Sequence, residues 1–198
     1  MKRSLVARML GGAVVTGVLG LALAALADSP LVEAAKHRPM PSAIPSVVGS
    51  AAPQIAVLRW FNHAQSPLLL TGKTTLLDFW GTGCGVCVAS LSAVEELARG
   101  VGPQVEVVLV HDRRAAKIRK SAHGDLVGEM VPAEDVLPEF LTERKLGLPV
   151  AMTDTLTFRR YTAMVVPLYV VVDAHGIIRY AENHPPDIGL LRGISASN

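Results

Sequence analysis

Residues 78–87 read Asp78-Phe79-Trp80-Gly81-Thr82-Gly83-Cys84-Gly85-Val86-Cys87 and contain both cysteines of the 198-residue chain. The stretch joins two periodicities. Before it, residues 75–80 form an apolar and aromatic run of strand length. After it, apolar residues recur at 88, 91, 94, 97 and 98, the spacing of one helix face, and Gly100 marks a C-terminal stop. Cys84 is therefore expected in a strand-to-helix turn, at or just before the helix N-terminus. Unpaired backbone N–H groups and the helix dipole favour a thiolate over a thiol there. Cys87 lies one turn further in, close enough to close a disulfide with Cys84.

Composition narrows the field. A disulfide-stapled secreted scaffold would hold more than two cysteines. A structural zinc site would need a second C-x-x-C or closely paired histidines, and the six histidines (37, 63, 111, 123, 175, 184) show no such pairing, so no metal site is expected. Lys and Arg total 19 against 17 Asp and Glu. Lys2, Arg3 and Arg8 fall in the first 27 residues, which leaves 16 basic and 17 acidic residues beyond them. That balance gives no reason to expect nucleic acid as a partner.

The chain divides by composition into three parts. Residues 1–27 have a basic start, an uncharged run from 9 to 27 and an Ala25-Leu26-Ala27 ending, the pattern of an export signal. The 19-residue run is also near the length needed to span a bilayer, so a cleaved signal and a retained anchor attaching the protein to the membrane both fit. Residues 28–53 hold five prolines (30, 39, 41, 45 and 53) among Ala, Ser and Gly, and read as an extended linker. A folded domain is expected over 54–195. Its strands are placed at 55–61, 68–70, 76–80, 104–110, 148–152, 168–173 and 177–181, and its helices at 88–99, 132–146, 157–163 and 187–193. The charged run 111–120 reads as the solvated face of a loop and helix, with a docking patch for an acidic partner as the alternative. Strands alternating with helices, then a hairpin and a terminal helix, give an α/β fold.

Residues 78–87 resemble the active-site motif of extracytoplasmic TlpA/ResA-like thiol–disulfide oxidoreductases of the thioredoxin family, roughly D/N-F-W-x-T-W-C-x-P-C. Trp60 and Asn62, then Gly72-Lys73 and Leu76, resemble the W-x-N…G-K-x-x-L lead-in of that group. Residues 165–176, from Val165-Val166-Pro167 to Asp173-Ala174-His175-Gly176, resemble its G-V-P-T-x-F-x-I-D-x-x-G signature. Two departures stand out: Gly83 where the family has Trp, and Val86 where it often has Pro. The resemblance spans about residues 55–195. It implies a thioredoxin-like fold with a central mixed β-sheet flanked by helices, an insertion near 111–146, and a cis Val166–Pro167 bond lying against the cysteine pair.

The resemblance also assigns roles. Cys84 would be the attacking thiol and Cys87 the resolving thiol, together forming the redox-active disulfide. Asp78 matches the buried acid of thioredoxins, and burial would raise its pKa so that it exchanges a proton with Cys87. Trp80, Val166 and Pro167 would line the substrate groove. No cofactor is required. Partners would be protein thiols and disulfides, with electrons drawn from a membrane thiol carrier, outside the cytoplasm in a periplasm or on the outer membrane face. The expected direction is reductive, on cytochrome c maturation proteins or other exported thiols. A disulfide oxidase or isomerase of the same fold is the nearest alternative. A copper chaperone on this scaffold would favour C-x-x-x-C, one residue longer than seen here. A peroxidase would need a proline and a Thr or Ser at spacings Thr82 does not meet.

Overall fold

The computed structural model describes residues 47–63 and 68–197. The expected signal or anchor at 1–27 and linker residues 28–46 lie outside the described residues. Among those described, no helix is long and apolar enough to cross a membrane.

The order is β1 (Val57–Phe61), β2 (Thr74–Trp80), α1 (Gly85–Val101), β3 (Val105–Asp112), β4 (Arg114–Lys120), β5 (Leu126–Pro132), a 3-10 turn (Ala133–Asp135), α2 (Leu137–Glu143), β6 (Val150–Thr153), α3 (Thr155–Arg160), β7 (Leu168–Val172), β8 (Ile178–Glu182) and α4 (Ile188–Ala196). Six strands form one mixed sheet in the order β1-β6-β3-β2-β7-β8. β2, β3 and β6 run parallel, while β1, β7 and β8 pair antiparallel with their neighbours. The central strands are near-continuous apolar runs because both of their faces are covered. Every residue of β2 is buried. Leu76 and Trp80 face a core shared with Leu91 and Val94 of α1, Leu137 of α2 and Leu191 of α4. Leu77 and Phe79 face the opposite core, with Phe158 and Tyr161 beside α3. Phe79 meets the Phe158 ring edge-on, with centroids 5.2 Å apart. This is the thioredoxin-like α/β architecture.

Several elements differ from the sequence expectation. Residues 68–70 form no strand, and helix α1 runs through Gly100 to end before Gly102, whose φ of 84° supplies the left-handed stop. The helix expected over 132–146 is a 3-10 turn followed by α2, because Pro138 is tolerated only in a first turn. Residues 49–52, placed in the linker by composition, pair with the start of β8: Gly49 N–H donates to Ile178 O at 2.8 Å and Ile178 N–H to Ser50 O at 2.9 Å.

The largest correction concerns residues 111–120. They form no helix. β3 extends through His111 to Asp112, and β4 then pairs with β5 as a separate two-stranded hairpin. Its loop is fastened by Ser121, whose hydroxyl accepts from His123 N–H at 3.2 Å and Asp125 N–H at 3.1 Å. Only Ala115 of β4 is buried, so the strand carries no alternation of polar and apolar residues for a sequence reading to detect.

Candidate active site

The fold brings four segments together at the C-terminal end of β2. β2 ends at Trp80, and residues 81–83 turn the chain so that Cys84 becomes the N-cap of α1. Cys84 has extended backbone angles (φ −92°, ψ 100°), as an N-cap requires. Its sulfur accepts the Cys87 N–H at 3.2 Å, one of the orphan donors of the helix N-terminus. No acidic side chain lies in the first turn of α1 to oppose negative charge on that sulfur. Cys84 and Cys87 are disulfide-bonded, with Cα atoms 5.2 Å apart. Cys84 is half-buried, while Cys87 is 1% exposed and belongs to the core. An incoming group can reach only Cys84.

The Val166–Pro167 bond is cis, as the family resemblance implies. It places the Val166 carbonyl oxygen 3.6 Å from the Cys84 sulfur. A segment bonded to Cys84 would pass beside that carbonyl.

Asp78 sits two residues before Trp80 on the α1-facing side of β2. It is in register with Leu109 of β3 and Tyr169 of β7. It is 1% exposed, and neither carboxyl oxygen has a hydrogen-bond partner. Burial pushes its pKa from 3.8 to about 7. The Tyr169 hydroxyl bonds Ser90 Oγ at 2.9 Å, and Ser90 Oγ donates to the Cys87 carbonyl at 2.8 Å. Burial, with the nearby Asp78, raises the Tyr169 pKa, so the phenol keeps its proton. Tyr169 and Ser90 thus tie β7 to the turn of α1 that holds Cys87, a link the sequence reading missed.

Trp80, expected in the groove, is buried instead. It packs edge-on against His111 with centroids 5.0 Å apart and lies 5.4 Å from Phe140. It supports the turn from beneath. His111 is a second residue the sequence reading missed. Its Nε2 accepts the Thr82 N–H at 3.2 Å, which leaves the proton on Nδ1 to be donated to the Asp112 carbonyl. Burial lowers its pKa, so the ring is neutral at the pH of most cellular compartments. The available signal was a polar residue ending an apolar strand parallel to β2.

The hairpin completes the site. Thr82 Oγ1 donates to Ala116 O at 3.1 Å. A Cβ on Gly83 would lie 2.4 Å from the Ala116 Cβ, closer than any two such atoms approach. The family's tryptophan is therefore absent at 83 because β4 occupies its place.

The Redoxin family profile matches residues 48–190. Comparison with curated proteins returns no match. Among solved structures, a thiol–disulfide isomerase from Corynebacterium glutamicum is 22% identical, covering 74% of this chain and 95% of its own, with a TM-score of 0.53. StoA from Bacillus subtilis is 17% identical over 73% of this chain and 98% of its own, with a TM-score of 0.54. The thioredoxin domain of a thiol–disulfide oxidoreductase from Bacteroides vulgatus is 17% identical over 77% of this chain and 98% of its own, also at 0.54. These likenesses show the fold.

Proposed function

The chain belongs to the Redoxin family and, with its close cysteine pair on a thioredoxin-like fold, is a thiol–disulfide oxidoreductase; we propose that it works as a reductase of protein disulfides outside the cytoplasm. The observation that carries the exchange chemistry is the contrast at the pair, while the reductive direction and the location outside the cytoplasm rest on the family resemblance and on the pattern of residues 1–27. Cys84 is reachable at a helix N-terminus, Cys87 is buried, and an unpartnered carboxyl with a pKa of about 7 lies on the same face of the sheet.

The reduced pair begins the reaction. The Cys84 thiolate, favoured by the N-terminus of α1, attacks one sulfur of a substrate disulfide. A Cys84–substrate disulfide forms, and the other substrate sulfur leaves as a thiolate and takes a proton. Ionised Asp78 accepts the Cys87 proton. The Cys87 thiolate attacks the Cys84 sulfur, closes the Cys84–Cys87 disulfide and expels the second substrate thiolate, which is protonated in turn. Two electrons have passed to the substrate. A dithiol protein carrier, proposed to lie in the membrane, reverses the sequence and restores the pair. The Val166 carbonyl and Pro167 would guide the substrate backbone beside Cys84. The export and anchoring roles of residues 1–27 rest on their charge and hydropathy pattern, and cytochrome c maturation proteins as substrates rest on the family resemblance.

The test uses Cys→Ser variants. Cys84→Ser should abolish reduction of a test disulfide, and Cys87→Ser should accumulate a mixed disulfide through Cys84. Mixed disulfides in Cys84→Ser and none in Cys87→Ser would reverse the roles. Alkylation of cellular thiols with a mass tag tests direction: a pair found almost wholly as the disulfide, with the electron supply intact, would make the protein an oxidase.

A further inference from the structure

The β4–β5 hairpin has two faces, set by its register. Ala116 lies opposite Met130, Ile118 opposite Gly128 and Lys120 opposite Leu126, so these side chains share one face. That face begins at Ala116, which touches the redox turn at Gly83. Beyond Ala116 it exposes apolar side chains: Ile118 at 53%, Met130 at 54% and Leu126 at 73%. The other face carries Lys117 opposite Glu129 and Arg119 opposite Val127, with Arg119 and Glu129 3.9 Å apart on the diagonal. The Ala116 face holds no acid, and Arg114 and Lys120 stand at its ends. Across Cys84, Val86, Met164 and Val165 are exposed as well. The turn that carries Cys84 thus meets the hairpin at Gly83 and the 165–166 segment at Val166, and both neighbourhoods expose apolar side chains. Exposed apolar surface beside a reactive group marks an interaction site.

We propose that the Ala116 face of the hairpin is the specificity wall for the substrate: it takes an extended, apolar segment bearing acidic residues on either side of the cysteine to be reduced. The proposal deepens the reductase reading and rests on it. The occupant follows from three features. The face adjoins the only reachable sulfur, so the segment carries the reacting cysteine. Its centre is apolar, so the residues flanking that cysteine are apolar. Its only charges are cationic, so an acidic segment is steered to it and a basic one repelled.

The experiment compares two synthetic disulfide-linked peptides with the full chain. Both have leucines beside the cysteine; one adds glutamates beyond them and the other lysines. The readout is the ratio of the two kcat/KM values within one protein, which a general loss of activity does not alter. The wild type should favour the glutamate peptide about tenfold, and Ile118→Glu with Lys120→Glu should remove or reverse that preference. Arg159→Glu, in the helix behind the sheet, should keep it. Equal rates in the wild type, or a preference that survives the hairpin double variant, would overturn the proposal. A photoreactive leucine next to the cysteine gives a second reading that needs no hairpin variant. In the mixed disulfide with Cys87→Ser it should label the hairpin between residues 116 and 130. Labelling confined to Val86, Met164 and Val165 would overturn the proposal. Failure to exchange with any disulfide, oxidised dithiothreitol included, would overturn the reductase reading and this one with it.

Discussion

Asp78 and Asp173 are both buried aspartates, 1% and 2% exposed, and they have opposite surroundings. Asp173 begins the turn between β7 and β8. Its Oδ1 accepts the N–H groups of His175 and Ile177, each at 2.9 Å, and its Oδ2 takes Arg179 Nε at 2.6 Å. Burial would raise its pKa, but the Ile177 N–H, Arg179 and the His175 N–H together hold it below its ordinary value. Asp78 lies deeper, within the wholly buried strand β2, and has none of those partners, and its pKa rises to about 7. A buried carboxylate with donors fixes a turn; one without them is a destabilised group whose retention calls for a chemical reason. The fold keeps Asp173 charged and brings the Asp78 carboxyl to its titration point near neutral pH.

The largest expected effect is on stability and has opposite signs at the two sites. For Asp78 the native carboxyl keeps its proton up to about pH 7, while the unfolded one loses it near 3.8. Between those values the unfolded state is favoured progressively, so stability falls as pH rises and levels off above 7. At 1.36 kcal/mol per unit, the full loss is about 4 kcal/mol. Asp78→Asn should therefore match the wild type near pH 4 and exceed it by up to about 4 kcal/mol at pH 8, measured by denaturant unfolding of the oxidised protein. A variant no more stable at pH 8 would mean that Asp78 has a partner in solution. At Asp173 the sign reverses. Its contribution is present above about pH 4 and is lost as pH falls through its lowered value. Asp173→Ala strands two amide donors in the turn and should cost about 3 kcal/mol at pH 7.

The next effect is kinetic and should appear at one site only. Asp78→Asn should slow disulfide exchange by about tenfold to a hundredfold near neutral pH and remove a rate inflection near pH 7. A conservative, folded variant at position 173 should keep the inflection. Stopped-flow exchange with a small dithiol between pH 5 and 9 checks both. An inflection that survives Asp78→Asn would return that carboxyl to a structural role.

The sequence showed one aspartate's surroundings better than the other's. Asp78, the cysteine pair and the Val166–Pro167 bond were legible because each lies in a short contiguous motif whose residue types carry the chemistry. Asp173 was visible only as part of the D-x-x-G turn, because its ion pair reaches Arg179 on the next strand. The hairpin was not legible. Its strands are covered only near Ala115 and Ala116 and are exposed beyond them, so Arg114 to Lys120 lacks alternation and reads like a charged helix surface. His111 was hidden for another reason: its importance comes from the parallel register that sets it beside Trp80. The insertion implied near 111–146 marked the place of the hairpin but not its form, and the absent tryptophan at 83 became interpretable only when Ala116 was seen in its place.

The smallest effect separates the two oxygens of Asp173. Oδ1 faces only backbone donors, and Oδ2 faces only Arg179. The Asp173 carboxylate is buried, but the Arg179 side chain is half exposed, so water and salt screen its charge despite the short 2.6 Å contact. Exposed or half-exposed ion pairs contribute little, because ordering a long side chain offsets much of the attraction. Arg179→Met keeps most of the side-chain length and leaves the turn amides on Oδ1. It should cost less than about 1 kcal/mol at pH 7, shrinking further at high salt, against about 3 kcal/mol for Asp173→Ala. Parallel unfolding measurements on the two variants decide the matter. Equal costs would mean that the ion pair, and not the backbone of the turn, keeps Asp173 charged.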